Sequence, residues 1–454
     1  MVLRESSLDP LVSAHASFQG GWLGWRDGGG WGGEMAWLGW KDGVVVFTCG
    51  DGCAAVDIER KGWEGTLVGA VGRSYSGRME FLPYFQSRRT ELIALLQKLV
   101  KLESPSSDKK AVDACSTFIV KQLRDLEARV TCLPQKEIGD LTLAEFPGKK
   151  GKDMGGRTLL LAHTDTVWPI GTLRHMPCSI QGNTVSGPGV LDMKSGLVMI
   201  IAALQALRKQ NLMPRHSIAV FLNSYEEVGN AATDLLIRDA AANSGRVLCL
   251  EPALTGGGLK LRRKGRLVVR LEASGKAAHA GNPELGISAI DELTSQLGAI
   301  RRLRSQGLTL NTGFIQGGQA ANVVAEHAWA LLDIRFWTPK QERRVRNHIQ
   351  EALPLLPGAC ISWSIERHTP PMEHTPGSAH LLARIRRIAR SMGMELPGGK
   401  TSGGSDASIA AQLGIPTIDG LGPEGGGIHA ESEHILLSSL IERTALLARL
   451  LLEL

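Results

Sequence analysis

Three short apolar runs constrain this chain most, because each ends on residues fit for metal chemistry: TLLLAHTD at 158–165, SIAVFLNSYEE at 217–227 and VLCLE at 247–251. Bounded runs of this kind read as buried strands. Stretches of helical period separate them, such as KSGLVMIIAALQALRK at 194–209. Alternating strands and helices build a mostly parallel sheet covered on both faces. In such sheets the ligand site lies beyond the carboxyl ends of the strands, so the histidines and carboxylates that follow the runs are expected at one edge.

With 454 residues the chain is long enough for two or three cores. Residues 1–78 hold 17 of the 54 glycines and six of the ten tryptophans, including the near-repeat GWLGWRDGG and AWLGWKDGV. So much glycine raises the entropy cost of ordering. The expectation is a poorly ordered extension, or sequence upstream of a start at Met79, in preference to an aromatic carbohydrate-binding module. From residue 86 the pattern changes: Leu92, Leu95, Leu96, Leu99 and Val100 fall at helical spacing, and a second amphipathic helix follows Asp108. The α/β alternation then runs from residue 79 to 261. Across 262–366 the order becomes β-α-β-β-α-β, that of a ferredoxin-like α+β sandwich. Residues 367–454 return to the α/β pattern, so two segments build one catalytic domain around an inserted lid.

Composition excludes several classes of protein. Hydrophobic residues make up 43% and charged residues 21%, as in a folded globular chain. A net charge of +6 is too mild to indicate nucleic acid as a partner. The seven cysteines are scattered and form no C-x-x-C pair, which argues for a reducing compartment and against a thiolate metal site. No apolar run of about eighteen residues is evident, so no membrane span is expected. The first residues make a poor signal peptide, since Asp9, Pro10 and His15 interrupt them. The expected location is the cytoplasm.

His163 closes the first run, and Asp165 stands where a carboxylate can hold the imidazole's other nitrogen. Glu226 and Glu227 follow the second run, Glu251 closes the third, Asp192 lies in GPGVLDMKSG, and His429 in the loop GPEGGGIHAESEH. Taken singly, each has a plain reading: a strand-end histidine in a hydrogen bond, a solvated pair of glutamates, glycines serving a tight turn. Taken together they fall at one edge of one sheet. Two histidines, one aspartate and two glutamates from this set suit zinc, or cobalt as a substitute, better than calcium, which would want oxygen alone.

The segments AHTDTVWPIGTL, GPGVLDMKSGL, EEVGN, GKAAHAGNPELG, GGQAANVVAEHAWALLDIRF, SGGSDA and GIHAESEH resemble, in order, the di-zinc metallopeptidase family of aminoacylases, acetylornithine deacetylases, succinyl-diaminopimelate desuccinylases and glutamate carboxypeptidases. The likeness is nearest to the glutamate carboxypeptidase branch and spans residue 86 to the C-terminus. It implies a zinc-exopeptidase type of mixed, mostly parallel sheet flanked by helices, with a lid that also dimerises. It implies two Zn2+, bridged by Asp192, with His429 and Glu227 completing one site and His163 and Glu251 the other. Glu226 is similar to the family's general base, Asp165 to the aspartate that orients His163, and Asp192–Met193 to its cis peptide. His279 resembles a residue that stabilises the oxyanion across the dimer. Asn322, Arg335, Gly403, Gly404 and Ser405 resemble substrate contacts. The basic run Arg262, Arg263, Lys264 and Arg266 reads as a solvated hinge rather than an anion site; Glu431 and Glu433 beyond His429 are small departures from the family pattern, and His434 nearby is a decoy for ligand assignment.

The resemblance thus implies a metallocarboxypeptidase or amidohydrolase that cleaves the amide bond to a C-terminal, glutamate-like amino acid through a metal-bridging hydroxide. Its substrate would carry a free carboxylate, and the chain would work as a homodimer without nucleic-acid or membrane partners. An N-acyl amino acid deacylase of the same family is the nearest alternative, and a non-catalytic binding protein is the alternative from another class.

Overall fold

The computed structural model describes residues 80–149 and 156–454 in full, and within residues 1–79 the backbone of six strands only. Contacts divide the chain into two units, Met1–Glu80 and Phe81–Leu454. In the first unit the strands follow the order Gly52–Asp57, Val44–Cys49, Gly30–Lys41, Trp22–Asp27, Ser13–Gln19, Leu67–Ala70, and every neighbouring pair is antiparallel. The expectation of a poorly ordered extension falls on residues 1–78, which beyond these strand backbones lie outside the described residues.

In the second unit the three apolar runs are neighbours in one sheet. Its order is Thr417–Ile418, Ser244–Cys249, Arg157–His163, Ile218–Asn223, Leu141–Phe146, Arg129–Leu133. The first four strands are parallel, and the last two form an antiparallel hairpin on one edge. Strand Ile218–Asn223 is buried at every position, which is why it reads as a continuous apolar run rather than an alternating one. Strand Arg129–Leu133, exposed or half-buried throughout at the sheet edge, lacks that signal.

Helix Ser195–Lys209 packs against the sheet and the C-terminal helix Leu437–Glu453. By length and hydropathy Val190–Lys209 could cross a membrane, contrary to the expectation that no run is long and apolar enough. In the fold 94% of its most apolar window is buried inside the protein, which makes it a core helix. A helix apolar on all sides finds burial in the middle of a large domain as well as in a bilayer.

The inserted segment forms a second sheet, with strand order Thr309–Gly317, His327–Phe336, Gly265–Ser274, Cys360–Thr369 and all neighbours antiparallel. In chain order this is 2-3-1-4, the ferredoxin-like arrangement expected. Strand Gly265–Ser274 alternates strictly between buried and half-buried residues. Its inward face joins helix Ala289–Arg301 and residues of helix Pro339–Gln350 in a core of its own. Entry to and exit from the lid meet where Arg263 and Met372 exchange backbone hydrogen bonds of 3.1 Å in both directions.

Candidate metal centre

The parallel register brings the ends of the three apolar strands to the same edge. Asn223 stands beside His163, and Cys249, two residues before Glu251, beside Leu161. Asp165 lies just beyond. Its Oδ1 and Oδ2 accept the amides of Glu226 and Glu227 at 3.1 and 3.2 Å, and Ser106 Oγ donates to Oδ2 at 2.6 Å. One buried carboxylate therefore fixes the glutamate turn. His163 Nδ1 meets the backbone carbonyl of Asp165 at 3.0 Å and its Oδ1 at 3.4 Å, which turns Nε2 toward the opposite side of the ring. The orientation of His163 expected from Asp165 thus comes mainly from that residue's main chain.

The loop holding Asp192 is set by Glu433, which the motif pattern marks only as a departure beyond His429. Glu433 is fully buried, and its carboxylate accepts the amides of Gly189, Leu191 and Asp192 at 2.9, 2.9 and 3.1 Å and the Trp168 indole at 2.7 Å. Gly189 has φ of +71°, and a Cβ there would stand 2.8 Å from Thr166 Cγ2, so both conformation and space require glycine. The Asp192–Met193 peptide is cis, as the resemblance implies. His429 adopts φ of +60°, a left-handed conformation that costs a non-glycine residue about 1–2 kcal/mol, and its ring reaches the same carboxylate.

These elements gather five side chains. Asp192 Oδ1 is 3.2 Å from His163 Nε2, and its Oδ2 is 3.3 Å from His429 Nε2. Glu251 Oε1 lies 3.4 Å from His163 Nε2, and Glu227 Oε2 lies 3.2 Å from His429 Nε2. Charge-assisted hydrogen bonds close to about 2.7–2.9 Å; these pairs stand off. Donors on a tetrahedral ion, with bonds of about 2.0–2.1 Å, lie about 3.3 Å apart. Glu227 Oε1 is buried and, among the described residues, has no hydrogen-bond partner, a costly state for a carboxylate oxygen unless a cation meets it. Donor atoms of His163, Glu226 and Glu251 also lie within 4.8 Å of one another, as do those of His163, Asp192 and Glu227. The donor set fits divalent cations.

Charge at the site tells the same story. Burial raises the Glu226 carboxyl well above the usual range, and Glu251 and Asp406 push it further. Burial likewise raises Glu227, against the pull of His429, and lifts Asp406 to about 7 although Asn223 donates to it. Burial would raise Asp192 too, but the two imidazoles hold it far below the carboxylate range. His429, facing the carboxylates of Asp192 and Glu227, is pushed up to about 10. Negative charge exceeds positive charge here, and both imidazoles draw protons to offset it. A ligating imidazole must surrender that proton, so cation binding and proton release are linked.

Other expected residues lie further out. Gly403 and Gly404 present carbonyls to Arg263 Nη1 at 3.1 and 2.5 Å. Ser405 is buried and caps the Ala407 amide at 3.1 Å. Arg335 joins Asp333 at 2.9 Å and the Ser402 carbonyl at 2.9 Å, which places it on the edge of the same loop. His279 and Asn322 sit together in the lid, linked by the Ala280 amide on the Asn322 carbonyl at 2.9 Å. Both are exposed, and among the described residues neither touches the cluster. The Gly281 amide donates to His279 Nδ1 at 3.0 Å, which leaves the proton on Nε2, an outward donor.

The basic run is not a solvated hinge throughout. Arg263 is only 3% exposed. It pairs with Asp419 at 2.5 Å and Glu251 Oε2 at 3.4 Å, while Lys260 approaches the same Oε2 at 3.7 Å. Those cations take one oxygen of Glu251 and leave the other facing His163.

A sequence profile of Peptidase family M20/M25/M40 matches residues 159–453. The chain is 28% identical over 376 residues to carboxypeptidase G2 of Pseudomonas sp. (strain RS-16), covering 80% of this chain and 89% of that protein. It is 26% identical over 378 residues to a succinyl-diaminopimelate desuccinylase of Corynebacterium glutamicum, covering 80% and 96%. Among solved structures, the aminopeptidase PepT of Bacillus cereus ATCC 10987 superposes with a TM-score of 0.65 at 22% identity, covering 80% of this chain and 98% of that one, a likeness of fold.

Replacing Glu433 by Ala leaves three amides and an indole without their acceptor. Each unsatisfied buried donor costs about 1–3 kcal/mol, so Glu433→Ala lowers stability by several kcal/mol in urea denaturation of the metal-free protein. An unchanged midpoint would contradict the anchoring role.

Proposed function

We propose, from the premise that the chain belongs to peptidase family M20/M25/M40 and is a metallohydrolase, that it binds two zinc ions and cleaves the amide bond to a C-terminal amino acid with an acidic side chain. The observation that carries this reading is the Asp192 carboxylate, whose two oxygens face two imidazoles beside the partnerless oxygen of Glu227. In it, Asp192 is shared, His429 and Glu227 hold one ion, and His163 and Glu251 hold the other. Such a pair of ions supplies Lewis acidity, lowering the pKa of water and polarising the scissile carbonyl.

The chain's own residues supply the rest. Glu226 is fixed through its amide by Asp165, in surroundings that raise its carboxyl, which suits a group that takes a proton and later returns it to the leaving amine. Arg335, at the rim of the 402–405 loop, has donors beyond those used by Asp333 and Ser402 and suits the substrate carboxylate. His279 offers an outward Nε2–H from the lid; we read it as an oxyanion donor to the site of a second subunit, in a homodimer formed through the lid. The carboxypeptidase reading draws on the similarity to carboxypeptidase G2. An N-acyl amino acid deacylase is the second reading, and the similarity to a desuccinylase supports it.

Glu226→Gln keeps both ions and loses about 10²- to 10⁴-fold in kcat, whereas Glu227→Ala loses metal; elemental analysis and turnover of the same preparations separate the two. Wild-type turnover in Glu226→Gln removes the base assignment. Assays of a peptidyl-glutamate and an N-acetyl-glutamate side by side decide between the two readings, the carboxypeptidase preferring the first. With the better substrate, Arg335→Ala raises KM about tenfold or more, matching the loss of about 1.5–3 kcal/mol for a hydrogen bond to a charged group.

A further inference from the structure

Arg262, next to the buried Arg263, lines a pocket the hydrolytic reading does not use. The pocket has a volume of about 660 Å³, and Arg262, Trp337, Lys340, Arg344 and Lys400 line it. The charged ends of Arg262, Lys264 and Lys400 each lie 5.5 Å from the centre of the Trp337 ring. Gly307, with φ of +83°, makes room for that ring, since a Cβ there would stand within contact of its indole. The lid contributes Trp337, Lys340 and Arg344; the strands at its root contribute Arg262 and Lys400.

Three features of this pocket work against stability. Arg262 and Lys400 are direct cross-strand partners in the pair formed by Leu259–Arg263 and Gly398–Thr401, where like charges repel. Lys340 and Arg344 stand four residues apart on helix Pro339–Gln350, again a like-charge pair on one face. Lys340 also occupies the first helical turn, where a cation opposes the helix dipole. The nearby acid, Glu342, is taken by Arg346 at 2.7 Å and His368 at 2.9 Å. Among the described residues, no carboxylate pairs with Arg262, Lys340, Arg344 or Lys400, and none lines the pocket.

We propose that this pocket binds a small molecule through a doubly charged tetrahedral oxyanion, a phosphoryl or sulfuryl group. A dianion at the centre offsets all three repulsions at once. It is distinct from the metal centre and independent of the hydrolytic reading. Because its cations come from both the lid and the lid's root, an occupant ties the two together.

Sulfate is a suitable probe, being a permanent dianion that chelates zinc poorly. In the holoenzyme, tryptophan fluorescence titrated with sodium sulfate at constant ionic strength should saturate, and Trp337→Phe should lose the signal. The double variant Lys340→Gln/Arg344→Gln, both on an exposed helix surface, should raise half-saturation at least tenfold while keeping the wild-type circular dichroism spectrum and a denaturation midpoint, without sulfate, at or above that of the wild type. Acetate should bind at least tenfold more weakly than sulfate. A linear response, an unchanged half-saturation in the double variant, or equal binding of acetate overturns the proposal; in particular, sulfate held at the metal centre would survive the double substitution.

Discussion

The structure depends on where one carboxylate is held. Asp192 lies between His163 and His429, one oxygen toward each, although those histidines arrive from a strand end and from a loop more than two hundred residues later. Such a meeting is electrostatically demanding. The same small volume also holds Glu226, Glu227 and Glu251, and buried carboxylates repel one another unless cations intervene. Much of the surrounding architecture restrains that charge: Glu433 grips the Asp192 backbone, Asp165 grips the amides of Glu226 and Glu227, and Arg263 with Lys260 grips the outer oxygen of Glu251.

Restraint of this kind has a chemical consequence. Each acidic side chain that faces the cluster is fixed by a contact made elsewhere, through its backbone or through its second oxygen. The donor atoms are therefore poised before any cation arrives, and little reorganisation is needed on binding. The arrangement is also asymmetric. His163 is buried, whereas His429 is on the rim with its side chain 46% exposed. Solvent therefore reaches the centre from the His429 side.

Much of this was legible in the sequence, and what was not has physical causes. The parallel sheet could be read because its central strands are buried on both faces and appear as unbroken apolar runs. The lid could be read because its strands alternate, as Gly265–Ser274 does residue by residue. Short pairings such as Leu259–Arg263 with Gly398–Thr401 escaped, since their partners are far apart in sequence and their side chains are mostly charged. The same strand hid Arg263, a buried cation inside a basic run. Glu433 was overlooked because its role is to accept backbone amides, which leave no mark in a sequence. Side chains that touch the chemistry carry motif signals, whereas those that hold the backbone around them do so only through the fold.

The central claim is that Asp192 serves both metal positions at once. Its most direct test is a stepwise cobalt titration of the metal-free Asp192→Asn variant, followed by visible absorption, beside the same titration of the wild-type protein. The bridging account predicts that both binding steps weaken together, because the neutral amide presents one oxygen where the carboxylate presents two. If one step keeps its wild-type affinity while the other is lost, Asp192 belongs to a single ion and the account fails.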